Sequence, residues 1–230
     1  MNFGKIASPL LDFFLPRFCP SCKIKLNTNE MVICQECLSS IRVATKERIQ
    51  FEFEKKFVKE KLISGFYAHF VFEKDKVLQH LIHSLKYEKR FQNGIFLGEI
   101  IGKALKERMI AWMIDCMIPV PLHPIKKAER GYNQSFYISK GISKQTGIPV
   151  KQNMLKRIRN TDSQTTMTFL ERKDNVGGAF SVNKRNNIPG KNILLVDDVI
   201  TTGATTSECA KALLKKSCSK VYAVSVAIAD

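Results

Sequence analysis

The stretch LLVDDVITTGATTSE, residues 194–208, constrains the fold of this chain more than any other sequence feature. The apolar residues 193–196 predict a buried strand, which carries two adjacent carboxylates, Asp197 and Asp198, to its carboxyl end. A hydroxyl-rich loop that contains Gly203 then leads into a predicted helix. Ligands of open α/β sheets bind at the carboxyl ends of strands, and such a loop offers N–H groups to a phosphate. The stretch therefore predicts a phosphate site in an α/β domain.

Asp197 and Asp198, the acidic pair, carry adjacent negative charges that repel each other. This arrangement is costly unless the carboxylates bind a ligand, and sugar hydroxyls or Mg²⁺ would be suitable ligands. The alternative is that the acidic pair caps a turn and the loop binds nothing. The succession of apolar strand, acidic pair and threonine-rich loop favours the ligand site. The residues assigned to a phosphorylated ribose are Asp197, Asp198, Val199, Thr201, Thr202, Gly203, Ala204 and Thr205.

The string LLVDDVITTGAT resembles the motif with which type I phosphoribosyltransferases bind 5-phosphoribosyl-1-pyrophosphate (PRPP). By this resemblance, Asp197 and Asp198 would meet the 2- and 3-hydroxyls of ribose. Residues 201–205, the phosphate loop, would wrap the 5-phosphate. The P-loop and dinucleotide patterns, which need G-x4-G-K-[ST] or G-x-G-x2-G, are not matched here.

Strand-like and helix-like patterns alternate over residues 62–230. Apolar residues recur at helical spacing over residues 77–85 and 97–109, whereas short apolar runs predict strands over 116–118 and 221–229. Such alternation predicts a three-layer α/β domain with a mainly parallel sheet.

Four of the seven cysteines form two C-x2-C pairs separated by eleven residues. Each pair aims two thiolates at one ion, and two pairs supply the four sulfurs of a structural Zn²⁺ site. A redox pair is the alternative, but it would not need a duplicate nearby. The predicted ligands are Cys19, Cys22, Cys34 and Cys37, in an N-terminal helix and zinc-finger or ribbon module over residues 1–45. A charged connector, residues 46–61, leads to the α/β domain.

The formal net charge of +16 favours a polyanionic partner, although excess lysine that serves solubility alone is an alternative. Residues 131–192 carry 11 basic and 3 acidic groups, so half of the excess lies just before the phosphate loop. This clustering favours a phosphorylated ligand or nucleic acid.

A basic loop, PVPLHPIKKAERGYNQS, spans residues 119–135 and follows a predicted strand. The phosphoribosyltransferase resemblance implies that such a loop holds pyrophosphate, and Arg130 has the geometry to clamp phosphate oxygens. An exposed basic loop without a ligand is the alternative. The residues assigned to pyrophosphate are Pro121, Leu122, His123, Lys126, Lys127 and Arg130.

A long polar stretch, RIRNTDSQTTMTFLERKDNVGGAF, spans residues 157–180. An excursion of this length inside a compact domain is typical of a functional lid or of disorder. We expect it to close over an anionic ligand or nucleic acid; a mobile surface hairpin is the alternative. The residues assigned to it are Arg157, Arg159, Gln164, Arg172 and Asn175.

Five motifs, taken together and in this order, resemble the ComF family of bacterial competence proteins. They are the two cysteine pairs, H-S-L-K-Y-x2-R, R-G-Y-N-Q-S, T-x2-Q with E-R-x2-N-V-x-G-A-F, and V-D-D-V-x-T-T-G-A-T. The resemblance covers nearly the whole chain. It implies a zinc module fused to a type I phosphoribosyltransferase-like domain, nucleic-acid handling, and a role in natural transformation or the use of imported DNA, with a protein partner in the competence machinery.

Three functions are compatible with these motifs. The first is a PRPP-binding protein that also binds single-stranded DNA, with aromatic side chains stacking on bases. The second is an active phosphoribosyltransferase, a pentosyltransferase in which Mg²⁺, Lys126 and Arg130 assist pyrophosphate departure and Asp197 and Asp198 position the ribose. The third is a sensor that binds PRPP without chemistry. No residue marks an acceptor base or amine, and the oligomeric state is left open.

The apolar runs are shorter than the roughly 18 to 20 residues that cross a bilayer. The start of the chain has neither the charge pattern nor the cleavage site of a signal peptide. Paired cysteines near each other are typical of metal sites in a reducing compartment. We therefore expect a cytoplasmic protein without membrane insertion.

Overall fold

The computed structural model describes residues 16–74, 76–159, 177–183 and 188–229. The strands in this part are β1 (Gly65–Val71), β2 (Cys116–Pro119), β3 (Leu155–Arg157), β4 (Phe180–Val182), β5 (Asn192–Ile200) and β6 (Lys220–Ile228). Four of them form a fully parallel sheet in the order β1-β6-β5-β2. The other two, β3 and β4, form an antiparallel pair.

The α-helices of the described residues are α1 (Gln35–Ser39), α2 (Lys46–Phe57), α3 (Val77–Tyr87), α4 (Phe91–Ala111), α5 (Pro124–Arg130), α6 (Gln134–Thr146) and α7 (Ala204–Leu214). Among them, α3 and α4 agree with the apolar spacing over residues 77–85 and 97–109, whereas α2 and α5 lie in the segments predicted as a charged connector and a basic loop. The predicted strand over residues 193–196 is confirmed, but β5 is longer and includes the acidic pair. None of these helices is both long and apolar enough to cross a bilayer.

Helices cover both faces of the sheet, which confirms the three-layer α/β architecture. On one face, α2 and α7 bury side chains such as Phe57; on the other, α3, α4 and α6 bury side chains such as Leu81. Successive residues of β5 alternate between the two cores, with Ile193 in the first and Leu194 in the second. Because both faces are covered, residues 193–196 of this strand are all apolar up to the acidic pair.

The part of the N-terminal module that the structure describes, residues 16–45, contains the four cysteines and is called the cysteine module; it packs directly on helix α3. Leu26 and Val32 of the module belong to the same apolar cluster as Leu78 of α3. Ser21 Oγ also lies 3.4 Å from Nδ1 of His80 on that helix. The module therefore shares a core with the helix that carries Lys86 towards the acidic pair.

The charged connector forms helix α2, and part of its charge is buried. Glu52 is fully buried and pairs with Arg48 at 2.8 Å and with Lys56. Phe57, at the end of the helix, packs against Phe66 of β1 with ring centroids 5.4 Å apart. The connector therefore contributes to the core of the α/β domain.

Candidate functional site

The acidic pair and the basic loop lie at the same edge of the sheet. β2 and β5 are parallel neighbours, with Pro119 opposite Val196, and Val120 N–H donates to the Val196 carbonyl at 2.9 Å. Because the carboxyl ends of parallel strands meet at one edge, the residues that follow both strands are adjacent. The structure thus brings together the two segments assigned to ribose and to pyrophosphate.

Asp198 is buried against a lysine that the sequence-based assignment missed. It is 5% exposed and forms an ion pair with Lys86 of α3. Burial alone would raise the pKa of Asp198, but the Lys86 ammonium outweighs it and holds that pKa below its ordinary value. Burial opposes the charged form of Lys86 as well, yet Asp198 raises the pKa of Lys86. Lys86 lies in the motif H-S-L-K-Y-x2-R, and this motif was the feature of the sequence that could have indicated a functional role for it.

Asp197 has a different environment from its neighbour. It accepts hydrogen bonds from Ser135 Oγ at 3.1 Å and from the backbone N–H of Asp198 at 2.9 Å. Burial and the Asp198 charge together raise the pKa of Asp197 well above its usual range. The two carboxyls are therefore unequal: Lys86 favours the charged form of Asp198, whereas burial and Asp198 disfavour the charged form of Asp197. Ser135, at the start of α6, is a second site residue that the sequence-based assignment missed.

The phosphate loop ends where helix α7 begins. Gly203 caps the helix with a φ of 79°, in the left-handed region that suits glycine. The Ala204 N–H lies 3.4 Å from the Thr202 hydroxyl oxygen, whereas Thr201 is exposed and Thr205 half-buried. Backbone N–H groups at a helix start favour an anion. The loop and the acidic pair open at the same edge of the sheet.

The basic loop contains α5, which begins after His123. The His123 Nδ1 accepts from the Ile125 N–H at 3.4 Å, so this side chain caps the helix. At the other end, Arg130 lies over the Tyr87 ring, 5.2 Å from its centroid, and donates to Gln134 Oε1 at 3.1 Å. Arg130 is thus held by α3 and α6 on the side of the acidic pair.

A cavity of about 640 Å³ separates the basic loop from β3. Pro121, Leu122 and Lys127 line it from the basic loop, and Lys156 and Arg157 line it from β3. Three cationic side chains from two elements therefore face one space. The cavity unites part of the pyrophosphate assignment with Arg157, which was assigned to the lid.

The structure describes two of the five residues assigned to the lid. Arg157 is half-buried with its guanidinium 5.5 Å from the Phe180 ring centroid, and burial lowers its pKa. Arg159 is exposed. Gln164, Arg172 and Asn175 lie outside the described residues. The last residues of the stretch reach α7, because the Gly178 N–H donates to Glu208 Oε2 at 2.9 Å.

The four predicted metal ligands converge. The Sγ atoms of Cys19, Cys22, Cys34 and Cys37 all lie within 4.8 Å of one another, and those of Cys22 and Cys34 are 3.6 Å apart. Burial opposes the Cys19 thiolate, but backbone N–H groups lower the pKa of Cys19 to about 7. Four sulfurs at these distances are compatible with tetrahedral Zn²⁺ and fill its coordination shell.

Comparisons with known proteins relate this chain to phosphoribosyl transferase domains and to competence proteins. Residues 133–229 match the family described as phosphoribosyl transferase domain. Competence protein F of Haemophilus influenzae is 33% identical over 142 residues, 60% of this chain and 62% of that protein. DNA utilization protein YhgH of Escherichia coli K12 is 29% identical over 147 residues, 63% of this chain and 64% of its own length. Competence protein ComFC of Bacillus subtilis is 32% identical over 101 residues, 44% and 38% of the two chains. Each match spans less than two thirds of the relative.

Solved structures show weaker likeness. Glutamine PRPP amidotransferase from B. subtilis is 19% identical with a TM-score of 0.41, over 63% of this chain and 30% of that one. Hypoxanthine-guanine phosphoribosyl transferase from L. donovani is 14% identical with a TM-score of 0.37, over 59% and 71%. The family match, the parallel sheet and the cysteine cluster are stronger grounds for judging similarity than these solved structures. On these grounds, residues 133–229 are similar to phosphoribosyl transferase domains, a four-cysteine cluster precedes the parallel sheet, and the chain is similar to competence protein F over 60% of its length.

Proposed function

We propose that this protein binds PRPP and single-stranded DNA and acts in natural competence or DNA uptake, as a ComF-type protein. One observation carries the PRPP part: the acidic pair, the phosphate loop and the basic loop share one edge of the parallel sheet. Zn²⁺ held by the four cysteines has a structural role, because no coordination position is left for a substrate.

Each part of the site matches one part of PRPP. Asp197 and Asp198 offer carboxyl oxygens to the ribose hydroxyls, and Ser135 orients the Asp197 side chain. The N–H groups at the start of α7 and the loop hydroxyls take the 5-phosphate. The cavity with Lys127, Lys156 and Arg157 provides the positive charge for pyrophosphate.

The same cavity favours an active transferase as the second candidate function. In that reaction the bond between ribose C1 and pyrophosphate breaks, its electron pair leaves with pyrophosphate, and an acceptor nucleophile bonds to C1. Cations fixed around the departing pyrophosphate stabilise its charge in the transition state. A non-catalytic sensor would use the same contacts to bind PRPP but would release no pyrophosphate.

A cleft between the cysteine module and the start of α4 supports DNA binding. It is lined by the aromatic residues Phe18 and Phe91, which are 48% and 41% exposed, and by Lys89 and Arg90. Exposed rings interleaved with cations fit single strands, because bases stack on the rings while the cations meet the phosphates. The cleft lies on the face of the domain that also carries α3.

Calorimetric titration with PRPP tests the proposal. The wild-type protein is expected to bind one PRPP per chain, and Asp197→Asn with Asp198→Asn is expected to abolish binding while the circular dichroism spectrum is kept. Glu99→Gln removes a surface carboxylate that pairs with Lys144 at 3.0 Å and serves as the matched control. Normal PRPP binding by the double variant would refute the site. Pyrophosphate release in the presence of bases, amines or DNA then separates a transferase from a sensor.

A further inference from the structure

Lys86 occupies the position at the acidic pair where a cation is needed. Its ammonium group pairs with Asp198 Oδ2, and its side chain is 23% exposed. Burial and Arg130 oppose the charged form of Lys86, but Asp198 favours it strongly enough that the pKa of Lys86 is raised. The acidic pair therefore has a cation of its own, supplied by helix α3.

The acidic pair does not fit a divalent metal ion, although the phosphoribosyltransferase resemblance implies Mg²⁺ with PRPP. Mg²⁺ requires octahedral geometry and keeps several water molecules. Oδ2 of Asp198 exposes less than 1 Å² of surface and faces the Lys86 ammonium. A hydrated ion would have to displace this ammonium to reach that oxygen.

The charge balance leads to the same conclusion. The Asp198 carboxylate already has Lys86 as its ion-pair partner, and burial and Asp198 disfavour the charged form of Asp197. A dication added here would meet the positive charge of Lys86, which already pairs with Asp198. Like charges at contact distance in a partly buried site repel strongly.

We propose that Lys86 serves as the cation of the ribose site, so that the acidic pair binds phosphorylated ribose without a divalent metal ion. This inference rests on the proposed PRPP site and concerns its metal requirement. Lys86 is then a positioning residue, which fixes the Asp198 carboxylate for the ribose hydroxyls. The inference does not concern Mg²⁺ bound to the pyrophosphate of PRPP, because that ion is part of the substrate.

Ribose 5-phosphate is the appropriate probe, because it lacks the pyrophosphate that binds Mg²⁺ by itself. Its affinity for the full-length, zinc-loaded protein is measured by calorimetry after removal of Mg²⁺ by dialysis, and again with Mg²⁺ added. We expect the two dissociation constants to agree within about threefold, a difference smaller than the loss of one net hydrogen bond. A wild-type protein that binds ribose 5-phosphate only with Mg²⁺ would overturn the inference, and this measurement needs no variant.

Lys86→Met gives the second measurement. Without Mg²⁺ it is expected to weaken ribose 5-phosphate binding by about tenfold or more, because a charge-assisted contact is lost. Added Mg²⁺ is expected to restore most of the affinity, since the vacated position then accepts a cation. Lys144→Met, which removes a lysine from the surface pair with Glu99, is the matched control and should behave as wild type.

The outcomes separate this inference from the proposed function. Binding that depends on Mg²⁺ in the wild-type protein contradicts the role of Lys86 but leaves the PRPP site in place. Tighter binding by Lys86→Met without Mg²⁺ would show that the ion pair competes with the ligand, and this too overturns the inference. If neither PRPP nor ribose 5-phosphate binds under any condition, the proposed function itself fails.

Discussion

Gly203 of the phosphate loop lies directly against the ring of Phe57 at the end of the connector helix. A Cβ atom built on Gly203 would come within 2.8 Å of Cε1 of Phe57. Phe57 has little freedom to move, since it is 1% exposed and packs on Phe66. Helix α2, which precedes the α/β domain in sequence, therefore forms the floor of the phosphate loop.

Gly203→Ala is expected to lower both stability and PRPP affinity. Alanine at a φ of 79° costs about 1 kcal/mol for the left-handed conformation, and the contact with Phe57 displaces the loop in addition. Gly147→Ala is the matched control, because Gly147 has a φ of 74° and a Cβ atom added there would meet nothing within 4 Å. Thermal melting should show a larger loss for Gly203→Ala, and calorimetry should show weakened PRPP binding for this variant alone. Equal effects of the two variants would contradict the role of Phe57.

The two members of the acidic pair should affect stability in opposite directions. Asp197→Asn is expected to raise the melting temperature near neutral pH, because it removes a carboxyl whose charged form is disfavoured by burial and Asp198. Asp198→Asn is expected to lower it by about 5 °C, because Lys86 then loses its partner in a largely buried site. Differential scanning calorimetry of both single variants measures the two shifts. A drop of equal size in both would contradict the unequal environments of the two carboxyls.

The pH dependence of these shifts has a definite sign. The folded pKa of Asp197 is raised, so its ionisation destabilises the fold as pH rises from about 3.9, the value of an unfolded aspartate, through the folded pKa. The gain from Asp197→Asn should therefore grow with pH and vanish in acid. The folded pKa of Asp198 is lowered, so its contribution is present above about 3.9 and is lost as pH falls through the folded pKa. Melting curves over a pH series check both trends, and a gain from Asp197→Asn that is largest in acid would be inconsistent with them.

Zinc removal is expected to destabilise more than the cysteine module. Cys19→Ser should abolish the binding of one zinc per chain, measured by atomic absorption, and should increase amide exchange in α3, which shares a core with Leu26 and Val32. Cys218→Ser changes a buried cysteine outside the cluster and is the control that should keep its zinc. Unchanged amide exchange of α3 in the Cys19→Ser variant would contradict the shared core of the cysteine module and α3.

Binding of single-stranded DNA should depend steeply on salt. Replacement of Lys89 and Arg90 by alanine is expected to reduce the slope of log affinity against log salt by about 1.4, or about 0.7 for each lost phosphate contact. Lys103→Ala with Lys106→Ala, two exposed positions on α4, is a control of the same charge. Fluorescence anisotropy with labelled oligonucleotides measures both slopes. The cleft is not the DNA site if the control pair reduces the slope as much.

The sequence predicted the parts of the site that are contiguous in the chain. The four cysteines and the strand–loop–helix around Asp197 carry their chemistry in local spacing, so both could be identified without a structure. The roles of Lys86 and Ser135 could not be assigned from spacing, because they arise when α3 and α6 pack beside β5, although Lys86 lies in the H-S-L-K-Y-x2-R motif. The support of the phosphate loop by Phe57 was hidden for the same reason.

The most direct test of the central claim is a crystal structure of the zinc-loaded protein with Mg²⁺-PRPP. The ribose 2- and 3-hydroxyls should lie within hydrogen-bond distance of the Asp197 and Asp198 carboxyls, and the 5-phosphate should lie against residues 201–205 at the start of α7. The Lys86–Asp198 ion pair should persist, with any metal ion on pyrophosphate. Density for PRPP elsewhere on the protein, or none at saturating concentration, would contradict the account.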